Sequence, residues 1–451
     1  MSHWHALRPV LPILVGASVM LTLSMGIRQT FGLFLQPVTR DIALTVSDFT
    51  LAFSIQNLSW GLLQPIAGAL VVRLGFRPIL LSGALLYLAG LLMLAVAQGF
   101  LGFLAGAGLL IGMSLACTAS AMAQATASRV VPTSVRSLVL GIITGAGTLG
   151  ALVAAPVAQA VMTDYGWRSG MLALFGFALF LLPATWFAGR VDRIPIPPPT
   201  RGDIADVTIA AATRSAFTRA PFVVMTAAYF VCGMQLLFIT THLPSYLAIC
   251  GMDPMLGAQA LGVIAVFNVA GSLFFGWAGG HWSKLVLLGS IYVTRSLVLG
   301  WYFLAPPTPA STLVFAAMMG FLWLGVGPLV AGSVVEMFGL RWQAMIQGFA
   351  FMSHQLGSFV GAFGGGLLFE ALGSYDLAWR LGVAMGLTAG IVQIAFALMR
   401  PPRHDACGQA LPTRIIPVAS TCHSSARARR RRPLVLLIPG NQRECPESDV
   451  L

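Results

Sequence analysis

Apolar positions in this chain neither alternate nor form a one-sided helical stripe; they come in long unbroken runs. Six lie near 10–35, 49–71, 78–98, 101–124, 137–161 and 170–188, and six more near 221–247, 257–279, 285–304, 311–335, 343–369 and 377–398. Each has roughly the 20 residues that an α-helix needs to cross the hydrocarbon of a bilayer. The pattern predicts an all-α membrane protein with twelve spans, both ends on one side. Between the sixes, residues 190–220 mix charge with Ile-Pro-Ile-Pro-Pro-Pro at 194–199, which reads as a solvated, proline-stiffened linker. The expected organisation is a six-helix bundle over 1–189, the linker, a second bundle over 221–400, and a tail over 401–451.

The halves repeat in sequence. Gly68-Ala-Leu-Val-Val-Arg73-Leu-Gly75-Phe-Arg77, a basic turn between two apolar runs, returns 208 positions later as Gly276-Trp-Ala-Gly-Gly-His281-Trp-Ser283-Lys284. Asp164-Tyr-Gly-Trp167-Arg168 is answered by Asp376-Leu-Ala-Trp379-Arg380 at an offset of 212. Two motifs at nearly one offset point to a half of roughly 200 residues used twice, the organisation of carriers whose halves rock about a central site.

Composition agrees with the runs. The chain is 57% hydrophobic and 9% charged, with a mean hydropathy of +0.85, where soluble domains carry roughly 25% charge. With twelve spans, thirteen Lys and Arg flank them on one side (Arg8, Arg73, Arg77, Arg129, Arg136, Arg190 to Arg219, Lys284, Arg341, Arg400) and three, Arg40, Arg168 and Arg380, on the other. Basic loops stay in the cytoplasm, so both termini are expected there. The six Cys are scattered without metal-ligand or disulfide spacing; no metal and no cofactor is expected. Glycines such as Gly102, Gly106, Gly108 and Gly112 let helices approach closely in lipid; with no strands, they are not phosphate loops. The tail holds Arg427 and Arg429 to Arg432, a run suited to anionic lipid headgroups, whereas nucleic-acid binding lacks any binding fold.

Polar groups inside the spans carry the chemistry. A charge at bilayer depth costs at least ~2.5–3.5 kcal/mol, so each one needs a reason. Arg28 lies in the outward third of span 1, and Arg295 is close to the middle of span 9. His242 falls near the outer end of span 7, and His354 with Gln355 within span 11. Gln56, Asn57, Gln64, Gln124, Gln235 and Asn268 are neutral, while Asp48, Glu336, Glu370 and Asp376 all stand at span ends. Two Arg and two His without a carboxylate at depth leave positive charge uncompensated, and an anionic cargo would supply the partner, since the guanidinium fork matches a carboxylate. Each has a structural alternative: Arg28 snorkelling to the interface, Arg295 bonded to a neighbouring helix, His354 bonded across helices with Gln355, and Asn268 and Gln235 as interhelical glue.

Over about residues 1–400 the chain resembles the major facilitator superfamily. Gly68, Leu70, Arg73, Gly75 and Arg77 match the signature G-x-L-x-D-R-x-G-R-[RK] between spans 2 and 3; Val72 replaces its acid and Phe76 its first closing basic residue. The acid normally helps latch the cytoplasmic side, so the latch here would rest on other contacts. Gly26-Ile-Arg-Gln-Thr-Phe-Gly-Leu-Phe-Leu, Ile239-Thr-Thr-His-Leu-Pro-Ser-Tyr-Leu and Phe351-Met-Ser-His-Gln-Leu-Gly-Ser-Phe are similar to bacterial members of the monocarboxylate-porter and oxalate/formate-antiporter branch. Two features depart from it: Asn268 and Ser272 stand where animal monocarboxylate carriers have an Asp and an Arg, and Gly141, Gly150 and Ala155-Pro156 only approximate the antiporter motif of span 5. The ending after Met399 has no counterpart in the family.

The resemblance implies two pseudo-symmetric six-helix bundles around a cavity, lined by spans 1, 4, 7 and 10 with help from 2, 5, 8 and 11. That placement favours Arg28, Gln124, Gln235, His242 and His354 as substrate contacts, with Gln355 and Asn268 beside them and Arg295 as a possible second charge. Gly68, Arg73, Gly75, Arg77, Gly276 and Lys284 would form the gate. The expected activity is alternating-access transport of a small, monocarboxylate-like organic anion by a monomer, coupled to protons or to a counter-anion. Efflux of hydrophobic compounds is the rival within transport, and a non-transporting sensor signalling through the tail the rival outside it. A membrane enzyme would need a nucleophile, metal ligands or paired acids clustered at one face, and the sequence offers none.

Overall fold

The computed structural model describes residues 8–196, 207–304 and 306–399; the tail 401–451, with Arg427 to Arg432, lies outside the described residues, as do Pro197 to Pro199. Eleven stretches are long and apolar enough to cross a membrane. One of them, Thr133–Arg193, has 61 residues, too long for a single crossing. It breaks at Gly166, whose φ of +80° is a conformation that residues with a Cβ rarely adopt. Eleven apolar stretches are therefore twelve spans, and the described residues are helical with no strands.

In chain order the spans are α1 (Leu11–Thr30), α2 (Val46–Leu74), α3 (Phe76–Ala95), α4 (Phe100–Val130), α5 and α6 (133–165 and 167–188), and α7 (Ala220–Ile249). There follow α8 (Pro254–Ala278), α9 (Lys284–Leu304), α10 (Pro309–Phe338), α11 (Gln343–Leu372) and α12 (Asp376–Leu398). Local chemistry sets several ends. Thr45 and Asp48 form a reciprocal capping box at the start of α2, and Thr308 with Ser311 does the same for α10. Gly75, at φ +88°, stops α2 and lets α3 begin at once. The backbone N–H groups of Phe76 and Arg77 then donate to the Asp192 carboxylate, each at 2.8 Å, so an acid from beyond α6 caps α3.

The expected solvated linker is partly helical. Ile209–Thr218 forms a helix capped by Thr208, with Ala212 and Ala216 buried, and the Phe217 ring rests on Phe222 and Phe349. Its apolar positions at four-residue spacing give it a face to bury.

Within each half, glycines let backbones touch. Gly150 of α5 abuts Gly26 of α1, and Gly233 of α7 faces the His354 carbonyl of α11. Across the halves the main junctions are α2 with α11 and α5 with α8. The small-residue contacts there, Gly68 on Ala344 and Met345, Gly348 on Pro65, and Gly141 on Gly276, draw together the helix ends that carry Arg73, Arg77, Arg136 and Lys284, hereafter the basic end. Val72, in place of the signature acid, packs against the apolar cluster containing Met345 and Ile346; the junction there is apolar. Arg73 is exposed, Arg77 lays its guanidinium 4.0 Å from the Trp186 ring, and Lys284 pairs with Glu336 at 2.5 Å.

Candidate functional site

A cavity of about 380 Å³ opens between the halves, walled by residues of α1, α2, α4, α5, α7, α8, α10 and α11. Two of these helices are interrupted where they reach it. α4 breaks at Ala119, whose backbone is extended, next to the lining residue Ser120. α10 breaks at Leu324 and Gly325, and the Asn268 side-chain oxygen accepts from the Leu324 N–H that the break exposes, at 3.2 Å. Irregular backbone at membrane depth is tolerated where it lines a cavity.

Arg28 faces this space from α1. Its Nε donates to Gln56 Oε1 at 3.1 Å and its Nη2 to Asn57 Oδ1 at 2.5 Å, and its guanidinium carbon lies 5.4 Å from the Trp60 ring centre. Gln56 is itself fixed by donating to the Ala107 carbonyl at 2.8 Å. The guanidinium is thus oriented by two neutral amides, with no carboxylate on it and none among the cavity's lining residues. Snorkelling to the interface is not what it does.

From Asn57 a polar chain crosses to the other half. Gln355 Nε2 donates to the Asn57 carbonyl at 3.2 Å and reaches its Oδ1 at 3.4 Å. Gln355 Oε1 meets His354 Nδ1 at 3.2 Å, and the His354 ring lies against Tyr229 and Phe351, centroids 4.6 and 5.8 Å away. Arg28, Asn57, Gln355 and His354 are therefore one sequence of contacts from α1 through α2 to α11. Closer to the basic end a second set spans the halves: Gln347 donates to Gln124 at 2.5 Å, Gln124 donates to Thr144 at 2.9 Å, and Gln343 donates to Ser128 at 3.0 Å.

Of the residues expected at the site, Arg28, Gln124, Asn268, His354 and Gln355 line the cavity. Gln235, His242 and Arg295 do not, and each has a different occupation. Arg295 is fully buried, its Nε donating to Gln235 Oε1 at 3.0 Å and its Nη1 to Cys232 Sγ at 3.4 Å. Gln235 Nε2 is taken by Ser296 Oγ at 3.1 Å and the Gly382 carbonyl at 2.7 Å. Gln235 thus ties α7 to α9 and α12 around a buried cation. His242 places Nε2 2.9 Å from the Ala362 carbonyl and Nδ1 3.2 Å from the Tyr375 hydroxyl, a strut between α7, α11 and the turn after it.

Sequence reasoning missed Trp60, Tyr229 and Phe351, which join Arg28 and His354 into one wall of the cavity. Among the described residues no group of His, Cys, Asp or Glu is placed to hold a metal ion.

A twelve-helix chain folded as two packed halves, with broken helices and a polar chain at a central cavity, has the architecture of a secondary carrier. Residues 17–362 match the family model described as Major Facilitator Superfamily, and the chain belongs to that superfamily. It is a transporter and not an enzyme. Monocarboxylate transporter 13 of Rattus norvegicus is 26% identical over 401 residues, covering 85% of this chain and 87% of the rat protein. The uncharacterized MFS-type transporter YcxA of Bacillus subtilis is 25% identical over 395 residues, covering 82% and 91%. Among solved structures, the Escherichia coli fucose:proton symporter FucP superposes with a TM-score of 0.66 at 15% identity, covering 86% of this chain and 99% of that one. At that identity the likeness is one of fold.

Proposed function

We propose that this transporter carries a small organic anion of the monocarboxylate kind across the cytoplasmic membrane of a bacterium by alternating access. One observation carries the reading: Arg28 points into the central cavity held only by neutral amides. A guanidinium so placed keeps its charge and spare donors for a carboxylate. The name of the rat relative, a monocarboxylate transporter, supports the same class.

In this mechanism an anion enters and binds Arg28, competing with Asn57 for the guanidinium. Because Asn57 also holds Gln355, the competition loosens a contact between the halves. The bundles 1–189 and 221–400 then rock about the cavity, joined by the linker 190–220, and the contacts at Gly68, Gly276 and Lys284 open at the basic end, which faces the cytoplasm with both termini. Coupling is to protons, with His354 or the cargo's own carboxylate as the carrier, or to exchange against a second anion. The carrier works as a monomer.

The test is uptake of labelled carboxylates into proteoliposomes by the parent, Arg28→Lys and Arg28→Gln. A hydrogen bond to a charged group contributes about 1.5–3 kcal/mol, so Arg28→Gln should weaken apparent affinity by about ten- to a hundredfold, with Lys between. Equal uptake by all three overturns the assignment of Arg28. The aromatic wall favours a second reading, efflux of uncharged apolar compounds, which requires transport indifferent to both substitutions.

A further inference from the structure

Resting on the assignment of Arg28 as the carboxylate contact, we infer that the cargo is an aryl monocarboxylate: one acid group on a flat aromatic body, larger than acetate or propionate. Three observations carry this. Bonded atoms sit closer together than separate waters, so acetate would fill about a fifth of the cavity of about 380 Å³ and phenylacetate about half of it. Space left around a small apolar ligand forfeits the contacts that hold it.

The wall next to the cation is built of rings. Trp60 lies beside Arg28 and 4.6 Å from Phe351 across the junction of the halves. Phe351 stacks on His354 with planes 9° apart, and Tyr229 closes the row. Starting at the guanidinium, a ligand body therefore meets four aromatic side chains contributed by α2, α7 and α11. Rings in offset or edge-on contact gain more than the area they bury, so a flat aromatic body is what such a row favours. Away from the rings the lining is largely aliphatic, with Leu236, Leu261 and Ile264.

The lining also holds a single permanent cation, Arg28. Arg295 lies behind Cys232 and outside the lining. A second carboxylate on the cargo would be desolvated against amides and hydrocarbon without a charge to meet it, which sets dicarboxylates apart.

The experiment is isothermal titration of the purified full-length transporter with acetate, phenylacetate, indole-3-acetate, phenylacetamide and phenylmalonate, repeated on Phe351→Leu and Arg28→Gln. The expected result is phenylacetate and indole-3-acetate binding about tenfold or more tighter than acetate, with phenylmalonate as weak as acetate. Phe351→Leu should lose most of the aryl preference; Arg28→Gln should weaken acetate and the aryl acids together. Acetate binding as tightly as the aryl acids in the parent overturns the aryl inference and leaves the anion reading standing. Phenylacetamide matching phenylacetate overturns the anion reading, and with it the monocarboxylate assignment, while the aromatic preference survives. The parent comparison needs no variant to fold.

Discussion

Replacing Gly68 by alanine should pry open the basic end. A Cβ built at Gly68 would lie 2.4 Å from the Ala344 carbonyl carbon and the Met345 nitrogen, and 2.5 Å from Met345 Cα, where ordinary contact begins at 3.4 Å. All three atoms are backbone, so no side chain can swing away, and α2 and α11 must part by about 1 Å. Overpacking of this kind costs about 1–3 kcal/mol, and the cost falls only on the arrangement in which the two helices touch. A conformation with that end parted should therefore gain about five- to 150-fold in relative population. Ser128 of α4 is a suitable reporter: it is buried, and its hydroxyl accepts from Gln343 of α11 at the same basic end. In a background without the six native Cys, a Ser128→Cys protein would be treated with a membrane-impermeant maleimide from the side bearing Arg73. Labelling should accelerate when Gly68→Ala is added. Unchanged labelling in a variant that elutes and melts like its parent would show that the α2–α11 contact does not hold this end closed.

Three further outcomes follow from the structure. Gln235→Leu should destabilise the protein by about 1.5–3 kcal/mol by removing the main acceptor of a buried guanidinium, whereas Gln235→Leu with Arg295→Met should melt closer to the parent, because the charge leaves with its partner; a double variant that melts at the sum of the two single effects would show that the pair is not coupled. Asp192→Ala should lower the melting temperature by the cost of a lost helix cap, about 1 kcal/mol, and Asp192→Asn by less, since it keeps one acceptor oxygen. Glu336→Gln should change stability by under about 1 kcal/mol, because the carboxylate side of its pair with Lys284 is 55% exposed; a larger loss in a denaturation series would mean the pair latches the basic end.

The length of the apolar runs made the twelve helices legible, since that length is a property of one segment and needs no knowledge of its neighbours. Where a helix turns its faces is not such a property. Arg28 could be picked out because a cation in an apolar run must be explained whichever way it points. Trp60, Tyr229 and Phe351 could not, because an aromatic ring suits lipid, core and cavity equally well. Gln235 and His242 misled for the converse reason: a polar group at depth needs a partner, and the partner can be protein. For Gln235 the signal was present in Arg295, whose buried charge demanded an acceptor on an adjoining helix. The helix at 209–218 was also readable, from Thr208 as a cap and the spacing of Ala212 and Ala216, but the prolines before it drew attention to a loop.

The neutrality of the groups that hold Arg28 reaches beyond binding. A positive charge fixed in the wall of a largely apolar recess, with no carboxylate beside it, projects its field along the opening, because low-dielectric walls focus field lines. Anions would then be gathered toward the mouth before any contact is made, and the rate of capture would fall steeply as ionic strength rises while the rate of escape changed little. Chloride, feeling the same field, would be a standing competitor, so the carrier's apparent affinity in a cell would be set partly by the salt around it.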